Sequence, residues 1–455
     1  MSESANQQIG KTGIWERLAP ILPLTAGVNA AGHLTIGGCD AADLARQFGT
    51  PLYVLDEATI RAQARAYKSA FAAHYPDSSV AYASKAYLSP ALARLLAEEG
   101  LGLDVVSGGE LFVAHRAGFP MERVHFHGNN KSPEELALAL DLGVGRVVVD
   151  NQHELRLLSD LAARRGVTAT ILLRLSPGVD PHTHAYNTTG LVDSKFGLPI
   201  VTGQAEEAVA EALRLPGLRL LGLHAHIGSQ ILELAPYRQT IATMFDFAAT
   251  LRARYSFVLA EFSPGGGWGI TYTPEQEPPT IPAIAETIAT AVRQNAARVG
   301  LPLPRLFVEP GRSIVGRAGV ALYSVGAIKD IPGVRCYVAV DGGMADNVRP
   351  ALYGARYVAL AANRLHEPCT QTVTIAGKYC ESGDILIQEA TLPPLAAGDL
   401  LAIPAAGAYC LALSSNYNLA MRPAVVMVSD GVARLIRRRE TYEDLLRCEV
   451  RESGN

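Results

Sequence analysis

Residues 80–99 read Val80-Ala-Tyr-Ala-Ser-Lys85-Ala-Tyr-Leu-Ser89-Pro90-Ala-Leu-Ala-Arg-Leu-Leu-Ala-Glu-Glu99. The first part is small and β-forming and predicts a strand over 80–86. Ser89-Pro90 then offers an N-cap and a first-turn proline, and the apolar spacing beyond them predicts a helix. A strand running into a helix is half of a parallel β/α unit, and Lys85 falls at the junction. A lysine at the end of a buried strand is costly to keep charged, and a desolvated amine is a nucleophile toward carbonyl compounds. The plain alternative is a side chain whose head emerges at the strand's wet end.

Working outward, the same alternation runs from residue 80 to 312. Apolar runs fall at 80–86, 101–106, 124–127, 146–150, 169–175, 218–226, 259–262 and 305–308, with helix-period stretches such as 133–140 and 154–163 between them. Eight such units over about 230 residues predict a closed (β/α)8 barrel of the TIM type. An open doubly wound sheet is the alternative. Each run is followed by polar or glycine-rich residues, in order Ser84-Lys-Ala, Ser107-Gly-Gly-Glu, Gly128-Asn-Asn-Lys, Asn151-Gln, Ser176-Pro-Gly, Gly228-Ser-Gln, Pro264-Gly-Gly-Gly and Glu309-Pro-Gly-Arg. The carboxyl ends of barrel strands are where such folds build active sites. Loops of this kind are polar anyway, which accounts poorly for a lysine, a glutamate and an arginine beside a triple glycine.

Beyond about residue 317 the pattern becomes strands separated by turns, at 319–328, 335–340, 371–376, 399–404 and 424–428, and predicts a mainly antiparallel β-domain. Residues 1–50 fit either part by pattern. The chain of 455 residues is too long for one ordinary core. A net charge of −4 gives no reason to invoke nucleic acid or an anionic membrane, and no apolar run reaches the ~20 residues that span a bilayer. The first residues lack the layout of a secretory signal. Six scattered cysteines without metal-type spacing point to reduced thiols in a cytoplasm.

Several motifs have two readings. Gly265-Gly-Gly267 after the seventh run can present backbone N–H groups to a phosphate, or can be an ordinary turn. His-x-His occurs at 125/127, 182/184 and 224/226, but no third ligand accompanies any pair and no metal site is assigned. His226 is the histidine best placed to lie against an aromatic ligand. Glu309 and Arg312 could close the barrel as an ion pair, or aim a carboxylate at a protonated ring nitrogen with an arginine beside it for a substrate carboxylate. Cys380, before a charged turn, is by itself an incidental thiol.

Taken in order, Tyr82-Ala-Ser-Lys-Ala86, Leu103-Asp-Val-Val-Ser-Gly-Gly-Glu-Leu111, His127-Gly-Asn-Asn-Lys131, His182-Thr-His184, Lys195-Phe-Gly-Leu198, Gly222-Leu-His-Ala-His-Ile-Gly-Ser-Gln230, Gly265–Gly267, Glu309-Pro-Gly-Arg312, Asp341-Gly-Gly-Met-Ala-Asp-Asn347, Ala351-Leu-Tyr-Gly-Ala355, Cys380-Glu-Ser-Gly-Asp384 and Gly407-Ala-Tyr409 resemble the fold-type III pyridoxal-phosphate-dependent decarboxylases. Within them the resemblance is to the branch that acts on meso-diaminopimelate. It implies a cofactor-binding barrel over 51–316 and a β-domain made of 1–50 and 317–455. It implies pyridoxal 5'-phosphate held by Lys85 as a Schiff base and His226 against the ring. Ser229, Gly266, Gly267 and Gly311 would take the phosphate, with Arg312 beside them and Tyr409 closing the site. Glu309 would pair with the ring nitrogen. Arg312, Arg349, Tyr353, Glu381 and Tyr409 would line the substrate's place, and Cys380 would come from the second subunit of a homodimer to deliver a proton. The sequence departs from the family pattern at Ser263-Pro264 before the triple glycine and at Trp268 after it.

A glutamate rather than an arginine at the ring nitrogen argues for decarboxylation over racemisation, because a protonated ring is the better electron sink. Two arginines suit a distal carboxylate and Glu381 a neighbouring ammonium, as in meso-2,6-diaminopimelate decarboxylated to L-lysine. A decarboxylase of ornithine, arginine or a D-amino acid, an amino-acid racemase, and a relative without activity are the alternatives. Retention of both Lys85 and Cys380 speaks against the last.

Overall fold

The computed structural model describes residues 15–180 and 193–450. The chain divides into two compact units. One comprises Arg61–Ile270 with Glu277–Ile314; the other comprises the residues up to Ile60, Thr271–Gln276 and those from Val315 onward.

The first unit is the expected closed barrel. Strands Ser78–Ala83, Gly102–Val105, Val124–Phe126, Arg146–Val149, Ala169–Ser176, Leu218–Ala225, Glu261–Ser263 and Arg305–Val308 pair in chain order. The last returns to the first through Leu306–Ser78 and Val308–Val80, and every pairing is parallel. A two-residue strand, Leu198–Pro199, adds to the side of the fifth. Val148, Leu172 and Phe307 form an apolar cluster of buried residues on three of these strands.

Much of the polarity at the strand ends goes into starting the next helix. Ser89, Ser107, Ser132 and Asn151 each accept a hydrogen bond from the backbone N–H three residues on, and Glu135 reciprocates to Ser132 in a capping box. Such caps stabilise a helix by about 1 kcal/mol each. Ser107 and Asn151, grouped with the rim residues by sequence, are therefore accounted for by the backbone. Lys131 turns inward instead, donating to the carbonyls of Gly128 (2.8 Å) and Val148 (2.9 Å) and to Glu154 Oε1 (2.7 Å).

The second unit contains a large, mainly antiparallel sheet and a small three-stranded one over 27–40. In the large sheet Gly319–Ile331 pairs antiparallel with Leu52–Asp56, Arg335–Val340 and Leu400–Ile403. Leu52–Asp56 also pairs in parallel with Ala424–Ser429. The strand 52–56 is buried along its whole length, in line with a central place in that sheet. Leu34, Ile36, Leu44, Val54, Leu322 and Val426 are among the residues of its core. Strands Ile385–Leu392 and Val432–Arg437 were not legible as separate runs. No described helix is long and apolar enough to cross a membrane.

Candidate active site

The first barrel strand ends at Ala83, and Lys85 sits in the single 3-10 turn Ser84–Ala86 that follows. Its side chain is 37% exposed, so the burial expected of a strand-end lysine does not hold. A carboxylate is beside it instead: Asp104 Oδ2, on the second strand, lies 3.5 Å from Lys85 Nζ. One turn into the next helix, Glu110 accepts the Val106 N–H (2.7 Å). Burial, with Asp104 nearby, pushes the Glu110 carboxyl up to about 7.

Deeper in the barrel the end of the eighth strand presents Glu309, only 4% exposed. Three other strand ends converge on it. His224 Nε2 donates to Glu309 Oε2 at 2.9 Å, Ser263 Oγ donates to Oε1 at 3.3 Å, and His127 Nε2 approaches Oε1 at 3.5 Å. His127 also stands 3.7 Å from Asp104 Oδ1 and packs edge-on to the His224 ring at 4.9 Å. Burial works to raise the Glu309 carboxyl, but His224 and His127 outweigh it and hold the group well below the usual carboxylate range. His224 is itself pushed down by burial. In this hydrogen bond the imidazole N–H is the donor and the carboxylate the acceptor. Metal-type spacing offered no third ligand for the His125/His127 pair, yet the fold brings Glu309 within 4.8 Å of both. That carboxylate already accepts hydrogen bonds from His224 and Ser263.

The triple glycine has a steric cause. A Cβ at Gly266 would stand 1.9 Å from the carbonyl oxygen of Glu309, and one at Gly267 would stand 2.0 Å from that of Gly228. Gly265 and Gly267 also take positive φ (82° and 95°), which glycine adopts without penalty. The loop lies against the ends of the sixth and eighth strands, where Glu309 N donates to Gly265 O and Tyr237 Oη to Gly266 O. Ser263, a departure from the family pattern, caps this loop by accepting the Gly265 N–H (3.0 Å). Trp268, the other departure, is buried between Tyr67 and Tyr237, with centroids 5.7 Å from each. Ser263 is thus accounted for by a hydrogen bond and Trp268 by packing.

Around that loop Arg312 Nη2 donates to Ser229 Oγ at 2.8 Å, bringing two of the predicted residues together. Gly311 packs on the first strand, where a Cβ would meet Ala83 Cβ at 2.9 Å. His226 Nδ1 faces the Gly266 N–H at 3.4 Å. Burial holds the His226 imidazole well below its usual range, with Lys85 and Arg174 adding to the effect. His182 and His184 lie outside the described residues.

In the second unit Arg349 opens the short helix Arg349–Tyr353 and is buried. Its guanidinium stands over the Tyr272 ring (4.6 Å), and it donates to Tyr357 Oη. Tyr357 Oη also lies 3.4 Å from the buried Cys410 Sγ. Tyr353 and Tyr409 are half-buried, and Tyr409 has φ +62°, uncommon for a bulky residue and a conformation that clusters at functional sites. Cys380 and Glu381 are exposed, on a turn rooted by the buried Asp384, which accepts the N–H groups of Met344 and Tyr379. Asp104, His127, His224, Tyr272 and Tyr357 had not been singled out as site residues. For His224, the only available signal was its position two residues before His226, on the same strand face.

A closed barrel with an accessible lysine, a buried anionic carboxylate and a glycine loop at its strand ends defines a pyridoxal-dependent decarboxylase. The family model described as "Pyridoxal-dependent decarboxylase, pyridoxal binding domain" matches residues 57–316. The diaminopimelate decarboxylase of Bacillus subtilis is 52% identical over 94% of this chain and 97% of its own length. The crystal structure of the diaminopimelate decarboxylase from m. jannaschii in co-complex with L-lysine is 36% identical with a TM-score of 0.88, covering 94% of this chain and 98% of that one. A lysine/ornithine decarboxylase of Vibrio vulnificus, complexed with putrescine, is 26% identical with a TM-score of 0.73 over 86% of this chain and 97% of its own. The chain belongs to the diaminopimelate decarboxylase family.

Its cofactor is pyridoxal 5'-phosphate, and the barrel residues fit that group. Glu309, buried and anionic, suits a protonated ring nitrogen. A glycine loop with no room for side chains, beside the Ser229–Arg312 pair, suits a phosphate.

Proposed function

We propose that the chain decarboxylates meso-2,6-diaminopimelate at its D-centre to give L-lysine and CO2. The observation that carries this reading is Glu309, anionic and held by strand-end donors where a racemase of the same barrel class would have an arginine. When bound, the cofactor supplies an electron sink for the charge left at Cα as CO2 departs. Lys85 would hold it covalently through the amine, and Glu309 would keep a proton at its ring nitrogen. His226 would lie against the ring, Ser229, Gly266, Gly267, Gly311 and Arg312 would take the phosphate, and Tyr409 would close the site. The substrate's distal end is held by Arg312, Arg349, Tyr353 and Glu381. The barrel unit (61–270 and 277–314, narrower than the 51–316 expected by sequence) binds the cofactor, and the β-domain, which also takes in Leu52–Asp56, supplies the remaining residues.

The working unit is a homodimer in which Cys380 of the second copy delivers a proton to Cα. The exposure of Cys380 at a turn tip in the single chain supports that role. The free cysteines support a cytoplasmic location.

A substrate without a distal carboxylate leaves the buried Arg349 with tyrosine partners but no carboxylate, at a cost of roughly 3–5 kcal/mol, or about 100- to 4,000-fold in kcat/KM. CO2 release is to be measured from the meso, LL and DD isomers, lysine and ornithine, with and without added pyridoxal phosphate. Turnover confined to the meso isomer is the expected result. A kcat/KM for ornithine equal to that for meso-diaminopimelate refutes the assignment.

A further inference from the structure

We infer that His224 is a positioning residue that keeps the proton on the cofactor's ring nitrogen, by donating its Nε2–H to Glu309. The inference rests on the pairing of Glu309 with that nitrogen proposed above. Such a pair shares one proton between a pyridine nitrogen and a carboxylate. Which atom holds it depends on how basic the carboxylate is, and each hydrogen bond donated to a carboxylate makes it less basic.

The surroundings of His224 suit this role. Its Nε2 lies 2.9 Å from Glu309 Oε2, both side chains are almost wholly buried, and its Nδ1 has no hydrogen-bond partner among the described residues. A charged imidazolium would leave a buried Nδ1–H donor unsatisfied, so the ring stays neutral with its proton on Nε2. Burial pushes in the same direction. His224 therefore supplies a hydrogen bond without adding a positive charge that would compete with the protonated ring.

The other groups facing Glu309 are weaker partners. Ser263 Oγ is at 3.3 Å, and His127 Nε2, at 3.5 Å, is divided between Glu309 and Asp104. The further charges on neighbouring strand ends, Lys85 and Arg174, have carboxylates of their own beside them, Asp104 at 3.5 Å and Asp150 at 3.8 Å. Loss of His224 thus removes the shortest donor on Glu309, and the shared proton moves from the ring nitrogen to the carboxylate.

The test reads the proton directly. Apo-protein is reconstituted with pyridoxal phosphate labelled with 15N in the ring, and the ring-nitrogen chemical shift is recorded for wild type, His224→Leu, His224→Asn and His224→Gln. Wild type and His224→Gln, whose amide can still donate, are expected to show a protonated ring. His224→Leu and His224→Asn, whose amide stops short, are expected to show a neutral ring. In the latter two kcat should fall by about tenfold or more, the worth of one hydrogen bond to a charged group, with KM little changed. His224→Asn retains a polar side chain and carries the same expectation if the leucine variant does not fold. A ring that stays protonated in the folded leucine or asparagine variant overturns the role of His224. A neutral ring in wild type overturns the Glu309 pairing itself, and the inference with it.

Discussion

Replacing Lys131 by methionine tests whether the barrel's rim is held by a buried ion pair. Lys131 and Glu154 are 1% and 2% exposed and 2.7 Å apart, and the ammonium also serves the carbonyls of Gly128 and Val148. Burial pushes the lysine down and the glutamate up, so each alone would rather be neutral. Methionine matches the stem in length but removes the charge and three hydrogen bonds. Removing one partner of a buried pair costs about 3–5 kcal/mol, because the other is left uncompensated. Replacing both by apolar residues of similar volume removes that penalty, so Lys131→Met/Glu154→Met should be less destabilised than Lys131→Met alone. Urea unfolding of wild type, both single variants and the double variant, followed by far-ultraviolet circular dichroism, measures the cycle. A Lys131→Met variant within about 1 kcal/mol of wild type, or a double variant equal to the sum of the singles, refutes the reasoning.

Gly266→Ala forces a Cβ into the Glu309 carbonyl and should cost about 1–3 kcal/mol or more while weakening pyridoxal phosphate binding in an absorbance titration. Gly166→Ala, at φ +65° with no described atom within 4 Å of the added Cβ, should cost about 1 kcal/mol and leave that affinity unchanged. Equal affinities in both variants would remove the loop from cofactor binding. Glu110 has a folded pKa raised from 4.5 to about 7, so the native state binds the proton more tightly and its contribution to stability is lost as pH rises across that window. Glu110→Gln should flatten the decline in stability from pH 4.5 to 7 and gain up to about 3 kcal/mol above it, read from urea midpoints across pH. An unaltered pH profile would show that Glu110 titrates normally. Lys85→Ala should abolish the absorbance band of lysine-linked cofactor, and a persisting band would mean that another lysine carries the link.

Some features were legible because their cause is local. The eight apolar runs predict the eight strands, since strands and helices differ in hydrophobic period, and the barrel closes as that count implies. Lys85 and Glu309 could be singled out because a charged residue at a strand end interrupts an apolar pattern. The bonds between them could not. Glu309 meets His224 across 85 residues of chain and Ser263 across 46, and nothing in the spacing of those residues announces it. The same limit hid the Tyr272 and Tyr357 rings around Arg349.

Sequence alone therefore determined the class of fold, the family and the residue types of the candidate site, because periodicity and ordered motifs are properties of the chain itself. Tertiary structure decided what those residues do to one another. It showed that Lys85 lies beyond its strand and partly in water, that the three glycines are demanded by neighbouring carbonyls, and that Ser107 and Asn151 serve helix ends. It also showed Glu309 to be an anion shaped by donors from other strands. Charge state, burial and hydrogen-bond partnership depend on distances between strands, and those exist only once the barrel has closed.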